Sequence, residues 1–240
     1  MKSFSSFKKN TLCVICAKSK SQGLRNKNIK LINNYPLLYY AIEKIKKNNF
    51  KYICISTDSK KIASIARKYG VNVFFYRSQK LCKPNVPKIL VWKDTINRSE
   101  KYFNRNFKHI LDVEVTNPLI DKKDLLSFSK SFFKKYKRYD GLFCYTPAKK
   151  NPYFNLIERK KNGFKLSKKH KKGQVTSRQK APHTFEHVAG LYYFNTNYIL
   201  KCSNILDGKT FGYHVPLFKS FDIDNIFDFK LVELILKNTK

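Results

Sequence analysis

Two stretches of the chain carry residue types suited to a phosphorylated ligand. The first is AKSKSQGLRNKNIK, residues 17–30, where Lys18, Lys20, Arg25 and Lys27 supply cations, Ser19 and Ser21 supply hydroxyls, and Gly23 stands alone among them. A glycine there permits either a positive φ or a close approach to another stretch of backbone, and with turn N–H groups the set suits a triphosphate. Its spacing is neither G-x-x-x-x-G-K-[ST] nor G-x-G-x-x-G, so neither a P-loop nor a dinucleotide fingerprint is supported. The second stretch is SFDIDN, residues 220–225. Asp222 and Asp224, at i and i+2 of an extended segment, project on one side and can bind a hard cation through oxygen, unless Asp224 or Asn225 merely caps the helix that follows. Only 16 residues of the chain are acidic, so two this close carry weight.

Two other patterns do not lead to metal chemistry. HTFEH, His183 to His187, fits H-x-x-E-H, but that motif needs a helix, and here Pro182 precedes it and the β-prone VAGLYYFN follows. Cys13 and Cys16 form a C-x-x-C inside a strand-like run, where residues three apart face opposite sides of a sheet and cannot share a metal.

The elements that must position these residues alternate. TLCVICA (Thr11 to Ala17), YICIST, VNVFFY, HILDVEV and DGLFCYT read as strands. PLLYYAIEKIKK (with an N1-type Pro36), KKIASIARKYG (capped by Gly70), Pro87 to about Tyr102, and KKDLLSFSKSFFKKY (starting near Asp121) read as helices between them. Such alternation implies a mostly parallel sheet covered by helices on both faces, with ligands beyond the carboxyl ends of its strands. Between Pro147 and Pro182 the rhythm breaks. NPYFNLIERKKNGFKLSKKHKKGQ reads as a hairpin turning at Asn162 and Gly163, too charged at its tip to enter a core. VAGLYYFN then restores a strand, TNYILKC a short helix, and FDIDNIFDFKLVELILKN a turn and an amphipathic helix. No repeat or disordered linker divides residues 1–240, so one domain is expected, with 147–182 as an inserted arm.

Composition bounds the function classes. Against those 16 acidic residues stand 50 basic ones, a net charge of +34, which suggests a polyanionic partner. Only eight of the 50 are arginine, the residue that nucleic-acid readers favour for its bidentate fork, and the lysines are scattered among Asn and Ile. Codon bias explains that pattern better than specific nucleic-acid binding does. The six cysteines sit singly in apolar runs, as reduced thiols would. MKSFSSFKKN lacks the apolar core of a signal peptide, and no run of about 18 apolar residues suggests a membrane span, so a cytoplasmic protein without membrane insertion is expected.

Taken together these pieces resemble the acylneuraminate cytidylyltransferase family, the CMP-sialic acid synthetases, from about residue 11 onward. The family opens with A-R-x-x-S-K-G-x-x-x-K-N, and Ala17, Ser21, Gly23, Lys27 and Asn28 match in register. STDS (Ser56 to Ser59), Arg77, TNPL (Thr116 to Leu119), Arg178–Gln179 with Pro182, and FDIDN follow in family order. AKKNPYFNLIE and LDVEVTNPL resemble the branch that acts on legionaminic-type nonulosonic acids. The resemblance implies a Rossmann-like three-layer α/β/α nucleotidyltransferase fold of the GT-A-like kind, with a mostly parallel sheet and a protruding β-hairpin dimerisation arm. It implies transfer of CMP from CTP to a nine-carbon acidic 2-keto sugar, with pyrophosphate released. By the same resemblance Mg2+ would sit on Asp222 and Asp224, and Asp224 would also orient or deprotonate the attacking hydroxyl. Ala17, Lys18, Ser21, Gly23, Lys27, Asn28 and Arg77 would bind the nucleotide, with Lys27 also catalytic. Glu114, Arg178 and Gln179 would face the sugar, and the enzyme would be a homodimer.

The chain also departs from the pattern. Lys18 and Ile120 replace arginines, Gln22 a lysine, Val188 an asparagine, and Glu114 the aspartate of the resembling branch. Such changes leave open an impaired homologue or a different sugar nucleotidyltransferase such as a CMP-Kdo synthetase.

Overall fold

Strands of this chain are apolar on both faces and its helices on one, so burying both requires a sheet sandwiched between helix layers. A computed structural model describes residues 3–20, 23–171 and 173–238. It begins with α1 (Phe4–Lys9), β1 (Thr11–Cys16), a single 3-10 turn at Lys27–Ile29, and the short antiparallel pair β2 (Leu31–Ile32) and β3 (Tyr35–Pro36). Then come α2 (Leu37–Lys47), β4 (Tyr52–Ser56), α3 (Lys60–Lys68), α4 (Lys88–Phe103), β5 (His109–Val113), α5 (Lys122–Lys135) and β6 (Gly141–Pro147). The remainder is β7 (Ile157–Lys160), β8 (Gly163–Leu166), β9 (Phe185–Asn195), α6 (Thr196–Lys201), β10 (Thr210–His214) and α7 (Ile226–Asn238).

Six strands form the main sheet in the order β4-β1-β5-β9-β6-β10. Only β9 runs against its neighbours; the other pairings are parallel. The mostly parallel α/β sheet is therefore as expected. Alternate residues of β1 divide between two cores: Cys13 and Ile15 pack with α2, α3, α5 and α7, whereas Leu12 and Val14 pack with Trp92 and Ile96 of α4 and Ile199 of α6. Cys13 and Cys16 accordingly face opposite layers, and all six cysteines are free.

Several sequence-level expectations need correction. VNVFFY is not a strand. Val71 and Val73 are buried and the Phe74 ring stacks on Tyr102 at 3.9 Å, so the segment buries its side chains like a strand while its backbone joins no ladder. Pro36 is the N-cap of α2 rather than its first residue. The arm hairpin exists, but Lys160 pairs with Gly163, which puts Lys161 and Asn162 in the loop rather than Asn162 and Gly163. Sequence periodicity also missed α1, a six-residue helix capped by Ser3, and β10, which pairs with β6 at the sheet edge. Residues 185–187 open β9, so no helix carries His183 and His187.

Candidate active site

The chain runs from β1 to β4 on one side of the sheet and later to β5 on the other, so the carboxyl end of β1 is a switch point where connections part and leave a crevice. A cleft of about 370 Å³ opens there, lined by residues that include Lys18, Gly23, Lys27, Asn28, Arg77, Lys88, Glu114, Thr116 and Asp224. The loop after β1 is tied down before it reaches this cleft. The Ala17 amide donates to Ser56 O at 3.0 Å, and the Asn28 side-chain amide donates to Lys18 O at 2.9 Å. Ser19 donates its amide and its hydroxyl to the two oxygens of Asp58, at 2.6 and 2.5 Å. Burial pushes the Asp58 carboxyl upward, but the Ser19 hydrogen bonds and the nearby Arg77 charge outweigh it and hold it below its usual range. Arg77 is buried; it donates to Ser56 Oγ at 3.0 Å and Ser56 O at 2.7 Å, fixing the end of the 71–76 segment to β4.

On the opposite wall the SFDIDN segment meets this loop directly. A Cβ added to Gly23 would stand 2.0 Å from the carbonyl oxygen of Asp224. Gly23 is absent from the positive-φ glycines, so of its two uses the close approach is the one this fold needs. Lys27 completes the seam: its ammonium donates to Ile223 O and lies 3.2 Å from Asp224 Oδ1. Asn225, not Asp224, caps α7, since its Oδ1 accepts from the amides of Phe227 and Asp228 at 2.8 and 3.0 Å. Asp228 reciprocates by accepting from the Asp224 and Asn225 amides. Asp224 is thereby left free of capping duty, with a side chain 76% exposed at the cleft.

Asp222 is the half-buried member of the pair, and its buried Oδ1 has no hydrogen-bond partner among the described residues. Burial raises its pKa; Thr116 pulls the other way, and the charges of Asp224 and Glu114 add to the rise. An orphaned buried oxygen beside a second carboxylate fits a hard divalent cation such as Mg2+. Among the described residues no three His, Cys, Asp or Glu side chains cluster for a metal, so Asp222 and Asp224 could hold the ion only together with oxygens from a substrate or water.

A second acidic pair flanks Lys88. Asp112, buried on β5, and Glu114, just beyond that strand, both ion-pair with the ammonium of Lys88. Burial alone would lower the Lys88 pKa, but the two carboxylates outweigh it and keep the lysine charged. The Lys88 ammonium also lies 5.4 Å from the Trp92 ring and 5.1 Å from the Tyr192 ring.

Of the residues singled out from sequence, Lys18, Gly23, Lys27, Asn28, Arg77, Glu114 and Asp224 line the cleft. Ala17 is buried, and Asp222 is half-buried and does not line the cleft. Ser21 and Gln22 lie outside the described residues. Arg178 and Gln179 sit exposed on a 3-10 turn and do not line the cleft of their own chain. Ile120 and Val188, two of the departures, are core residues; Ile120 lies against Gly190, where a Cβ would come within 2.3 Å of it. Sequence reasoning missed Lys88, Asp112 and the anchoring role of Asp58. One signal was available: Asp112-x-Glu114 has the same spacing as Asp222-x-Asp224.

Residues 12–220 match the family model described as Cytidylyltransferase. The chain is 37% identical over 227 residues to post-translational flagellin modification protein B of Campylobacter coli, covering 94% of both chains. It is also 37% identical, again with 94% of each covered, to CMP-N,N'-diacetyllegionaminic acid synthase of Campylobacter jejuni. A solved CMP:2-keto-3-deoxy-manno-octonic acid synthetase complexed with CTP superposes with a TM-score of 0.68 at 11% identity, covering 96% of this chain and 99% of the other, a likeness of fold. With a family model spanning most of its length and relatives at this identity, the chain belongs to the cytidylyltransferase family.

Proposed function

We propose that this cytidylyltransferase joins CTP to a nine-carbon acidic 2-keto sugar of the nonulosonic class, giving the CMP-sugar and pyrophosphate. The observation that carries this reading is the seam in which Gly23 seats on the Asp224 carbonyl and Lys27 bridges to Ile223 and Asp224. A phosphate-binding loop and an acidic pair must act on one phosphorus atom, and here they meet along one seam of the cleft. The likeness to a CMP-N,N'-diacetyllegionaminic acid synthase favours a legionaminic-type sugar.

In this reading Ala17, Gly23 and Asn28 shape the loop, while Lys18, Lys27 and, outside the described residues, Ser21 contact the triphosphate. Arg77 backs the nucleotide. The anomeric hydroxyl attacks the α-phosphorus, the bond from that phosphorus to the β-phosphate bridging oxygen breaks, and Asp224 orients the hydroxyl and takes its proton. Mg2+ held by Asp222 and Asp224 would offset charge on the phosphates. Glu114 faces the sugar. Arg178 and Gln179 are assigned to the sugar side of a partner's cleft in a homodimer. The need for CTP favours the cytoplasm, and among the described residues no helix is long and apolar enough to cross a membrane.

The test is pyrophosphate release with CTP, Mg2+ and a panel of legionaminic, pseudaminic, N-acetylneuraminic and 3-deoxy-manno-octulosonic acids. Release is expected with a nine-carbon acid, and Asp224→Asn should lower it by roughly 10²–10⁴-fold, the range for a lost general base. CTP binding without release from any acid would refute the reading.

A further inference from the structure

Lys88 is a cation where its helix disfavours one. It is the first residue of α4, after Pro87, with no side-chain cap and no acidic residue in the first turn. The unpaired N–H groups of that turn present positive potential to any charge beside them, so a lysine here must be stabilised from elsewhere. The stabilisation comes from Asp112 and Glu114 through two ion pairs, and from the faces of Trp92 and Tyr192.

These partners are not equivalent. Asp112 is 1% exposed, lies within the β5 ladder and does not line the cleft, so it anchors Lys88 from behind. Glu114 and Lys88 both line the cleft, and the ion pair engages Oε1 of Glu114. The Glu114 backbone is held as well, its amide donating to Gly190 O at 2.9 Å. Glu114 shares Lys88 with Asp112 and lines the same cleft as Asp224, so without the lysine its side chain would have like-charged neighbours and no tether. Tethered, it presents a fixed carboxylate, which accepts hydrogen bonds from O–H and N–H and repels another carboxylate.

We infer that Lys88 is a positioning residue for the sugar side of the cleft: anchored by Asp112, it fixes Glu114 as a hydrogen-bond acceptor for a hydroxyl or amide N–H of the acidic sugar, and it makes no contact with the triphosphate. This rests on the proposed function. It accounts for a buried carboxylate and a helix-start lysine that the nucleotide chemistry does not require.

The test is steady-state kinetics of Lys88→Met, Glu114→Gln and the double variant, with thermal unfolding as the control for folding. Lys88→Met should raise KM for the acid at least about tenfold and leave KM for CTP within about twofold. In the double variant the loss should be no larger than in Glu114→Gln alone, because both changes remove one interaction. Lys88→Arg, which keeps the charge, should recover most of the loss. An equal rise in KM for CTP would make Lys88 a triphosphate ligand and overturn the inference. A lowered melting temperature with unchanged KM for the acid would make it structural, with the same consequence. Should Lys88→Met fail to fold, Lys88→Gln, which removes the charge at a similar length, with and without Glu114→Gln supplies the same cycle, and additive effects there overturn the inference. Absence of turnover by the wild type with every acid would refute the proposed function and this role together. Turnover by the wild type with an unaltered variant refutes the role of Lys88 alone.

Discussion

Asp222 keeps a carboxylate where water cannot fully solvate it, and its Oδ1 has no hydrogen-bond partner among the described residues. Burial, with Asp224 and Glu114 nearby, raises its pKa above the ordinary aspartate value. A group that holds its proton to higher pH folded than unfolded stabilises the fold below its unfolded pKa, and that contribution is lost as pH rises through the folded value. At neutral pH the fold therefore bears the cost of this charge. Asp222→Asn should melt higher than the wild type near pH 7, with the gap closing toward about pH 4 as the wild-type side chain takes up its proton. Thermal unfolding across that range checks this, and a gap independent of pH would assign the cost to something other than the charge. Added Mg2+ should raise the melting temperature of the wild type and not of the variant. The candidate site was legible in sequence where residue type and spacing already narrow the choice, as with the Asp222–Asp224 pair and the lone Gly23. It was not legible for Lys88, which is one of 42 lysines and is distinguished only by the two carboxylates that β5 and the residue beyond it place in front of it.

The same limit applies to elements. Helices with strong local signals start where the sequence says they do: α5 opens on Asp121, whose Oδ1 accepts from the Lys123 and Asp124 amides at 2.6 and 3.0 Å, with Asp124 completing a capping box. The segment 71–76 has the apolar content of a strand and ends beside β4, an edge strand with one side unpaired, yet it joins no ladder; burying its side chains does not require one, and sequence alone does not separate the two outcomes. The Asn162–Gly163 turn was read one residue late because the register across β7 and β8 decides which residues bridge them. At α7 the local signal left two candidates for the cap, and the hydrogen bonds choose Asn225. Asn225→Ala should cost about 1 kcal/mol in chemical denaturation, the usual value of such a cap, and Asn225→Asp should restore most of it. Equal stability of all three proteins would mean that Asp228 alone organises the start of α7.

At the scale of the whole molecule, charge and shape point in different directions. A net charge of +34 draws any polyanion and raises its encounter rate, CTP included, without specifying a fold. Shape is the more informative feature, because one part of the chain has no stabilising layer of its own. The β7–β8 hairpin pairs only with itself, outside the main sheet. Its register sets Ile157 opposite Leu166 and Arg159 opposite Phe164, so Ile157, Phe164 and Leu166 share one face. Ile157 is 55% exposed and Phe164 67%. An isolated two-stranded hairpin is marginal in water, and one carrying an uncovered apolar face gains most by burying it against another surface. A second copy of the chain, as the homodimer reading requires, supplies one. The excision points are already adjacent, because the Ser167 amide donates to Leu156 O at 2.9 Å, so residues 157–166 can be removed and Leu156 joined to Ser167 with little strain on the remainder. Sedimentation should find the wild type dimeric and the deletion monomeric, and the deletion should keep a cooperative thermal transition because the main sheet and both cores lie outside the arm. The paired change Ile157→Ser with Phe164→Ser should weaken the dimer while leaving the hairpin backbone in place. A wild type that stays monomeric at the concentrations assayed, or a deletion that remains dimeric, would show that the arm's apolar face serves something other than self-association.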